Sequence, residues 1–314
     1  MHADLRRRLP LVTVSAPFAG RVGGNQDFIA DLTTLGGEEA IKSQPDAVPL
    51  QSLQASLDLS GFFIRENWRM AIIEGWGTCL MVFFLGSVSS TATTLTTPPL
   101  ANVLFGALAS WIGLSLFLYA AGPASGGHLN PAITMATFFA GLCTLPRAVL
   151  YIIAQAVGAI VGAYWLRLGL GEDNFFPNQW IPGCTVGELS PNPAPISVGQ
   201  LFVLEYMYSQ ASIFLAFGAG LDPRNARTLG PAFSPIVVGL SLALGVVSSA
   251  LVREGYTGLS FNPARCLGLM TAKGELQYHY VHWLAPMAAA IVNGLFYYFA
   301  PPYQRDRKRV FNML

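Results

Sequence analysis

Two short segments, Gly126-Gly127-His128-Leu129-Asn130-Pro131-Ala132 and Gly258-Leu259-Ser260-Phe261-Asn262-Pro263-Ala264-Arg265-Cys266, hold the groups in this chain best suited to chemistry. Each sets an asparagine, whose carboxamide both donates and accepts, directly before Pro-Ala and a short apolar stretch. Proline there suits the first turn of a helix, where a missing N–H costs nothing. A helix that starts inside a membrane points unpaired N–H groups, and the positive end of its dipole, at whatever lies in front of it. Two such starts facing each other would form a passage that accepts neutral polar molecules and repels cations. A third copy, Asn192-Pro193-Ala194, sits among Ser190, Pro191 and Pro195 with no apolar helix behind it. That copy reads as an ordinary turn.

Such half-helices need long apolar elements around them, and the composition allows for these. Hydrophobic residues make up 53% of the chain and charged residues 11%, against about 25% charged in soluble domains. Apolar runs near 68–88, 100–121, 147–168, 199–219, 234–252 and 281–300 are each long enough to cross a hydrocarbon core of roughly 30 Å. The Asn-Pro-Ala stretches, about 130–141 and 262–272, are too short to cross and read as re-entrant half-helices. A net charge of +1 gives no support to a nucleic-acid partner.

The spacing of polar residues reveals an internal repeat. Glu74 precedes Asn130 by 56 residues, and Glu205 precedes Asn262 by 57. Gly126 and Gly258 each stand four residues before their asparagine. Gly158 and Gly162 follow Asn130 at the offsets at which Ala290 and Gly294 follow Asn262, which suggests a small-residue crossing in the third span of each half. Three spans per half turn the second copy upside down and bring the half-helices together near the midplane. The expected fold is therefore an all-α membrane protein with six transmembrane helices, two re-entrant half-helices and an inverted 3+3 repeat.

The domain reading follows. Residues 1–64 lack a sustained apolar run and read as a mostly disordered cytoplasmic tail, 65–302 as the membrane domain, and 303–314 as a basic cytoplasmic tail. With both termini inside, that side collects Arg6, Arg7, Arg8, Arg147, Arg224, Arg227 and the closing Arg305, Arg307, Lys308 and Arg309. The long connection 169–198 then lies outside. The four cysteines, Cys79, Cys143, Cys184 and Cys266, lack metal-ligand spacing and read as free thiols, with Cys184 and Cys266 the one pair worth testing for a bond.

On these motifs the chain resembles the major intrinsic proteins, the aquaporin and aquaglyceroporin superfamily, over roughly residues 65–302. The paired Asn-Pro-Ala, the Ser-Gly-Gly-His-Leu lead-in, Arg265 and the glutamates of the first and fourth spans carry the likeness. Asn262-Pro263-Ala264-Arg265-Cys266 and Gly183-Cys184 are similar to the uncategorised X intrinsic proteins of fungi and plants. Glycerol facilitators usually carry Asp where Cys266 stands. The resemblance implies a passive channel for water and small uncharged solutes such as glycerol, urea or hydrogen peroxide, assembled as a homotetramer in a bilayer, by default the plasma membrane. It also implies an outer constriction built from Arg265, Leu259, a second-span residue at Ser110 or Trp111, and a fifth-span residue at Val246 or Ala250. Water-specific members place histidine in the fifth span, and this chain has none there. An aliphatic residue would leave the constriction wider and greasier.

Glu74 and Glu205 are carboxylates inside apolar spans, which by default signals function. The resemblance implies that they bind backbone groups of the re-entrant loops rather than relay protons. His128 reads as a loop-packing or pore-wall residue, since no second metal ligand lies at suitable spacing. A thiol at Cys266, beside Arg265 and near Cys184, is a candidate redox or mercurial site. No cofactor is implied, and no nucleophile–base pair or phosphate loop argues for an enzyme. The alternative reading is a secondary active transporter, which also uses inverted repeats and broken helices.

Overall fold

The computed structural model describes residues 29–30, 48–49, 56–94, 99–178, 180–186, 196–221, 229–253 and 255–299. Among the described residues eight helices follow a short 3-10 turn at Leu59–Phe63: α1 Arg65–Thr94, α2 Pro99–Ser125, α3 Pro131–Phe139, α4 Leu145–Leu170, α5 Val198–Gly220, α6 Gly230–Ser249, α7 Pro263–Lys273 and α8 Val281–Phe299. Five of these, α1, α2, α4, α5 and α6, are long and apolar enough to cross a membrane. The sixth long helix, α8, also carries His282, Asn293, Tyr297 and Tyr298, which lower its hydropathy. Ahead of the helices, Ile29–Ala30 pairs in parallel with Val48–Pro49. The disorder expected of residues 1–64 otherwise falls largely outside the described residues, and the basic tail 303–314 does so entirely.

Burial is arranged for lipid rather than water. Trp76, Ile112, Phe214 and Leu284 are exposed, whereas Glu74, Gln155, Glu205 and Asn293 are buried. A long helix that is apolar all round belongs in hydrocarbon, with its polar groups turned inward to find partners.

The packing obeys the repeat. Helix α1 lies along α4 as α5 lies along α8; α7 packs on α4 as α3 packs on α8; α2 and α6 pair with each other. Glycine lets backbones meet at these crossings. A Cβ on Gly158 would stand 2.0 Å from the Gly75 carbonyl oxygen, and one on Gly162 would stand 2.2 Å from that of Cys79. In the second half the close approach is to a half-helix: a Cβ on Gly294 would stand 2.5 Å from the carbonyl oxygen of Ala136 on α3, whereas α7 meets α4 through its own Gly268, whose Cβ would stand 2.3 Å from the Ala159 carbonyl oxygen.

Helix α1 runs past its expected end at residue 88. The hydroxyls of Ser87, Ser89, Thr93 and Thr94 donate to carbonyls three or four residues back, so the polar side chains of this last stretch find their partners within the helix.

Candidate functional site

Both Asn-Pro-Ala asparagines are helix N-caps. Asn130 Oδ1 accepts the Ala132 N–H at 2.8 Å, and Asn262 Oδ1 accepts those of Ala264 and Arg265 at 3.1 and 3.2 Å. Each cap satisfies otherwise orphaned donors. The approach to each cap is a left-handed residue at the same repeat position, Leu129 (φ 49°) and Phe261 (φ 52°), with Gly126 and Gly258 also at positive φ. That strain turns both loops back toward the midplane and aims the carbonyls of Leu129 and Phe261 across it. Asn130 Nδ2 donates to the Phe261 carbonyl at 3.2 Å, and Asn262 Nδ2 donates to the Leu129 carbonyl at 2.8 Å. The two half-helices are thus locked head to head by reciprocal bonds. A carboxamide has two N–H hydrogens, so each asparagine keeps one beyond this bond.

Two buried carboxylates hold the loops in that shape. Glu74 accepts from Ser125 Oγ (2.6 Å), His128 N (2.9 Å), Leu129 N (2.6 Å) and Gln155 Nε2 (2.8 Å). Glu205 accepts from Tyr256 OH (3.0 Å) and from both the N–H and the hydroxyl of Ser260. With its oxygens occupied by fixed donors, each carboxylate acts as a bracket for one loop. Gln155 was not legible in the sequence, because the repeat supplies Met287, not an amide, at the matching position. His128 is buried, its Nδ1 lies 3.1 Å from Thr134 Oγ1, and its ring meets Tyr151 edge-on.

A cavity of about 530 Å³ reaches both asparagines; its wall includes His128, Ser110, Leu259 and Arg265. Of the second-span alternatives, Ser110 lines the cavity, whereas Trp111 turns to α6 and donates its indole N–H to the Ile236 carbonyl at 2.9 Å. One residue is a rotation of about 100° on a helix, which separates the two. Both fifth-span alternatives, Val246 and Ala250, line the cavity, one turn apart at the end of α6. Between them the hydroxyl of Ser249 accepts the Leu259 N–H at 2.9 Å and fixes the loop residue against α6.

Arg265 is held from the connection that follows α4. Its Nη2 donates to the Pro182 carbonyl at 2.8 Å, and its Nη1 lies 3.1 Å from Cys184 Sγ. The free-thiol expectation needs correction here. Cys184 and Cys266 form a disulfide, and Cys79 and Cys143 are the free cysteines, both buried. The pair lies 82 positions apart in sequence, yet the connection folds back over α7 and brings the Cα atoms to 5.2 Å. In the bonded state Cys266 has no thiol to offer a mercurial. Pro182, which the motifs did not mark, acts through its backbone carbonyl, and a carbonyl leaves no signature of residue type.

The comparisons agree with this geometry. The family model described as "Major intrinsic protein" matches residues 63–297. The chain is 33% identical to aquaporin-5 of Mus musculus over 238 residues, covering 74% of this chain and 80% of that one. It is 29% identical to aquaporin A of Dictyostelium discoideum over 224 residues, 71% and 75% of the two chains. Among solved structures, the aquaglyceroporin from Plasmodium falciparum is similar with a TM-score of 0.57 and 22% identity, covering 79% of this chain and 100% of that one. At that identity the likeness speaks for the fold alone.

Proposed function

The chain belongs to the major intrinsic protein family, and from that premise we propose how its passive channel for water and small uncharged solutes discriminates. The observation that carries the reading is the head-to-head lock of Asn130 and Asn262, both of which line the cavity. Each asparagine offers a solute oxygen one amide hydrogen at the place where two helix dipoles point their positive ends. A neutral solute exchanges its water for these donors. A cation meets two dipoles and the guanidinium of Arg265 and is turned away.

Solute size is set at the outer constriction, where Arg265 and Leu259 face Ser110 from the second span and Val246 or Ala250 from the fifth. Small and aliphatic groups leave room there for glycerol, urea and hydrogen peroxide beside water. Glu74 and Glu205 scaffold the loops, and this counts against a secondary active transporter, which would need a carboxylate free to couple an ion. The chain is a multi-pass membrane protein. Both termini lie in the cytoplasm and the 169–198 connection outside; the assembly is a homotetramer in the plasma membrane, and the subgroup is that of the X intrinsic proteins.

Arg265→Ala tests the constriction. In inserted protein it should admit larger solutes and some cations, read by stopped-flow light scattering and an ion-sensitive dye. An unchanged solute profile would move the constriction elsewhere.

A further inference from the structure

Arg265 is oriented by a segment, residues 180–186, that one covalent bond fastens down. Cys184 is bonded to Cys266, the residue directly after Arg265, and both cysteines are fully buried. Besides that bond, Ile181 is fully buried in the apolar cluster that includes Ala264, Leu269 and Met270, and the remaining attachments are hydrogen bonds. Gly183 N–H donates to the Thr257 carbonyl (3.1 Å) and approaches its hydroxyl (3.0 Å), Thr257 Oγ1 donates to the Thr185 carbonyl (2.5 Å), and Val186 forms an isolated bridge with Tyr256. Water can replace each of those at the mouth of an aqueous pore. It cannot replace the disulfide. The fit beneath the segment is close: a Cβ on Gly183 would stand 2.6 Å from the Leu259 carbonyl oxygen and 3.4 Å from Arg265 Nη1. Pro182, Gly183, Leu259 and Arg265 all line the cavity.

We propose that the Cys184–Cys266 disulfide is a positioning pair for selectivity. It keeps the Pro182 carbonyl on the guanidinium of Arg265, folds that side chain against the wall, and so holds the lumen open to polyol-sized solutes. A dithiol reductant breaks the S–S bond. It supplies two electrons and two protons, leaves two cysteine thiols, and is itself converted to a cyclic disulfide. Residues 182–186 then lose their covalent tie and can shift about the seated Ile181, and the unpinned guanidinium sweeps the lumen. Water passes a mobile arginine more readily than glycerol does. Glycerol permeability should therefore fall relative to water permeability by about fivefold, the factor that one hydrogen bond of ordinary net strength carries.

The proposal rests on Arg265 forming the constriction. Wild-type protein in proteoliposomes is measured for glycerol and water permeability by stopped flow before and after dithiothreitol, with thiols counted by alkylation and mass spectrometry. The double variant Cys184→Ser/Cys266→Ser is measured alongside. The expected result is a glycerol-to-water ratio that falls on reduction, matches the double variant without reductant, and does not respond to reductant in that variant. A plain structural staple would lower thermal stability and leave the ratio alone. An unchanged or raised ratio in fully reduced wild type overturns the proposal, as does finding both thiols free before reductant. If the bond resists reduction in place, the double variant decides by the same ratio; if the variant does not insert, reduced wild type decides. A changed profile in Arg265→Ala with no effect of reduction sinks this proposal alone. An unchanged profile in Arg265→Ala sinks the constriction reading beneath it.

Discussion

Replacing either pore asparagine by aspartate removes its amide donor, which faces the lumen and locks the opposite loop, while keeping the acceptor that caps its helix. Asp caps a helix as well as Asn does, and a negative charge at a helix N-terminus is favoured by the dipole. The bonds from Ala132, Ala264 and Arg265 to Oδ1 should survive, and the half-helices with them. The amide donor is what disappears. In Asn262→Asp a carboxylate oxygen replaces a donor 2.8 Å from the Leu129 carbonyl, and in Asn130→Asp one stands 3.2 Å from the Phe261 carbonyl. Oxygen now faces oxygen, more closely in the first case. Loss of one donor to the solute corresponds to about 0.5–1.5 kcal/mol, or roughly a two- to tenfold drop in flux. A new charge about 4 Å from a passing monovalent cation attracts it by about 4 kcal/mol at an effective dielectric constant of about 20. Cation leak should therefore rise by orders of magnitude from a very low base, while solute flux falls, and Asn262→Asp should be the worse of the two. Stopped-flow permeability and a potential-sensitive dye on the same vesicles, normalised to inserted protein, read both quantities. Unchanged flux and unchanged leak in both variants would refute the assignment of these amides to the pore.

Other perturbations address neighbouring claims. Val246→His and Ala250→His each add a bulky ring to the cavity wall; at least one should lose glycerol or urea flux while keeping most water flux, and retention of both solutes in both variants counts against the constriction drawn here. Gly158→Ala forces a methyl to 2.0 Å from the Gly75 carbonyl, so α1 and α4 must part by about an ångström at a cost of about 1–3 kcal/mol. It should lower the melting temperature in detergent, while Gly169→Ala, with open space around it, should not. Mercurials should leave oxidised wild type unaffected and inhibit only after reduction, since Cys79 and Cys143 are buried and Cys184 and Cys266 are bonded; inhibition before reduction, absent in Cys266→Ser, would contradict this.

The sequence was most informative where a physical constraint acts on a run of residues. A lipid core demands about 20 apolar residues per span, so the spans stood out, and proline after asparagine marked the start of each half-helix. The repeat offsets paired Glu74 with Glu205 because each half solves the same problem of holding a loop. Legibility failed where the determining group has no residue signature or where one residue of register decides. The Pro182 carbonyl that holds Arg265 is backbone, and Trp111 differs from Ser110 by a single helical step. The disulfide joins residues 82 positions apart, so the sequence could single out the pair but read its cysteines as free thiols. Gly294 stands at the repeat position of Gly162 yet meets half-helix α3 instead of a full span, a difference that its residue type does not mark. The hydroxyl-capped end of α1 outran the apolar run that hydropathy detects.

The proposed function is downhill passage of small neutral solutes through one selective pore. Stopped-flow swelling of wild-type proteoliposomes with water, glycerol, urea and hydrogen peroxide in parallel, with and without a proton ionophore, tests it most directly. Accelerated water flux, accelerated flux of at least one of the three larger solutes, no accumulation against a gradient, and no effect of the ionophore are expected. Water passage alone would contradict the wide constriction. Uptake against a gradient that the ionophore abolishes would contradict the channel.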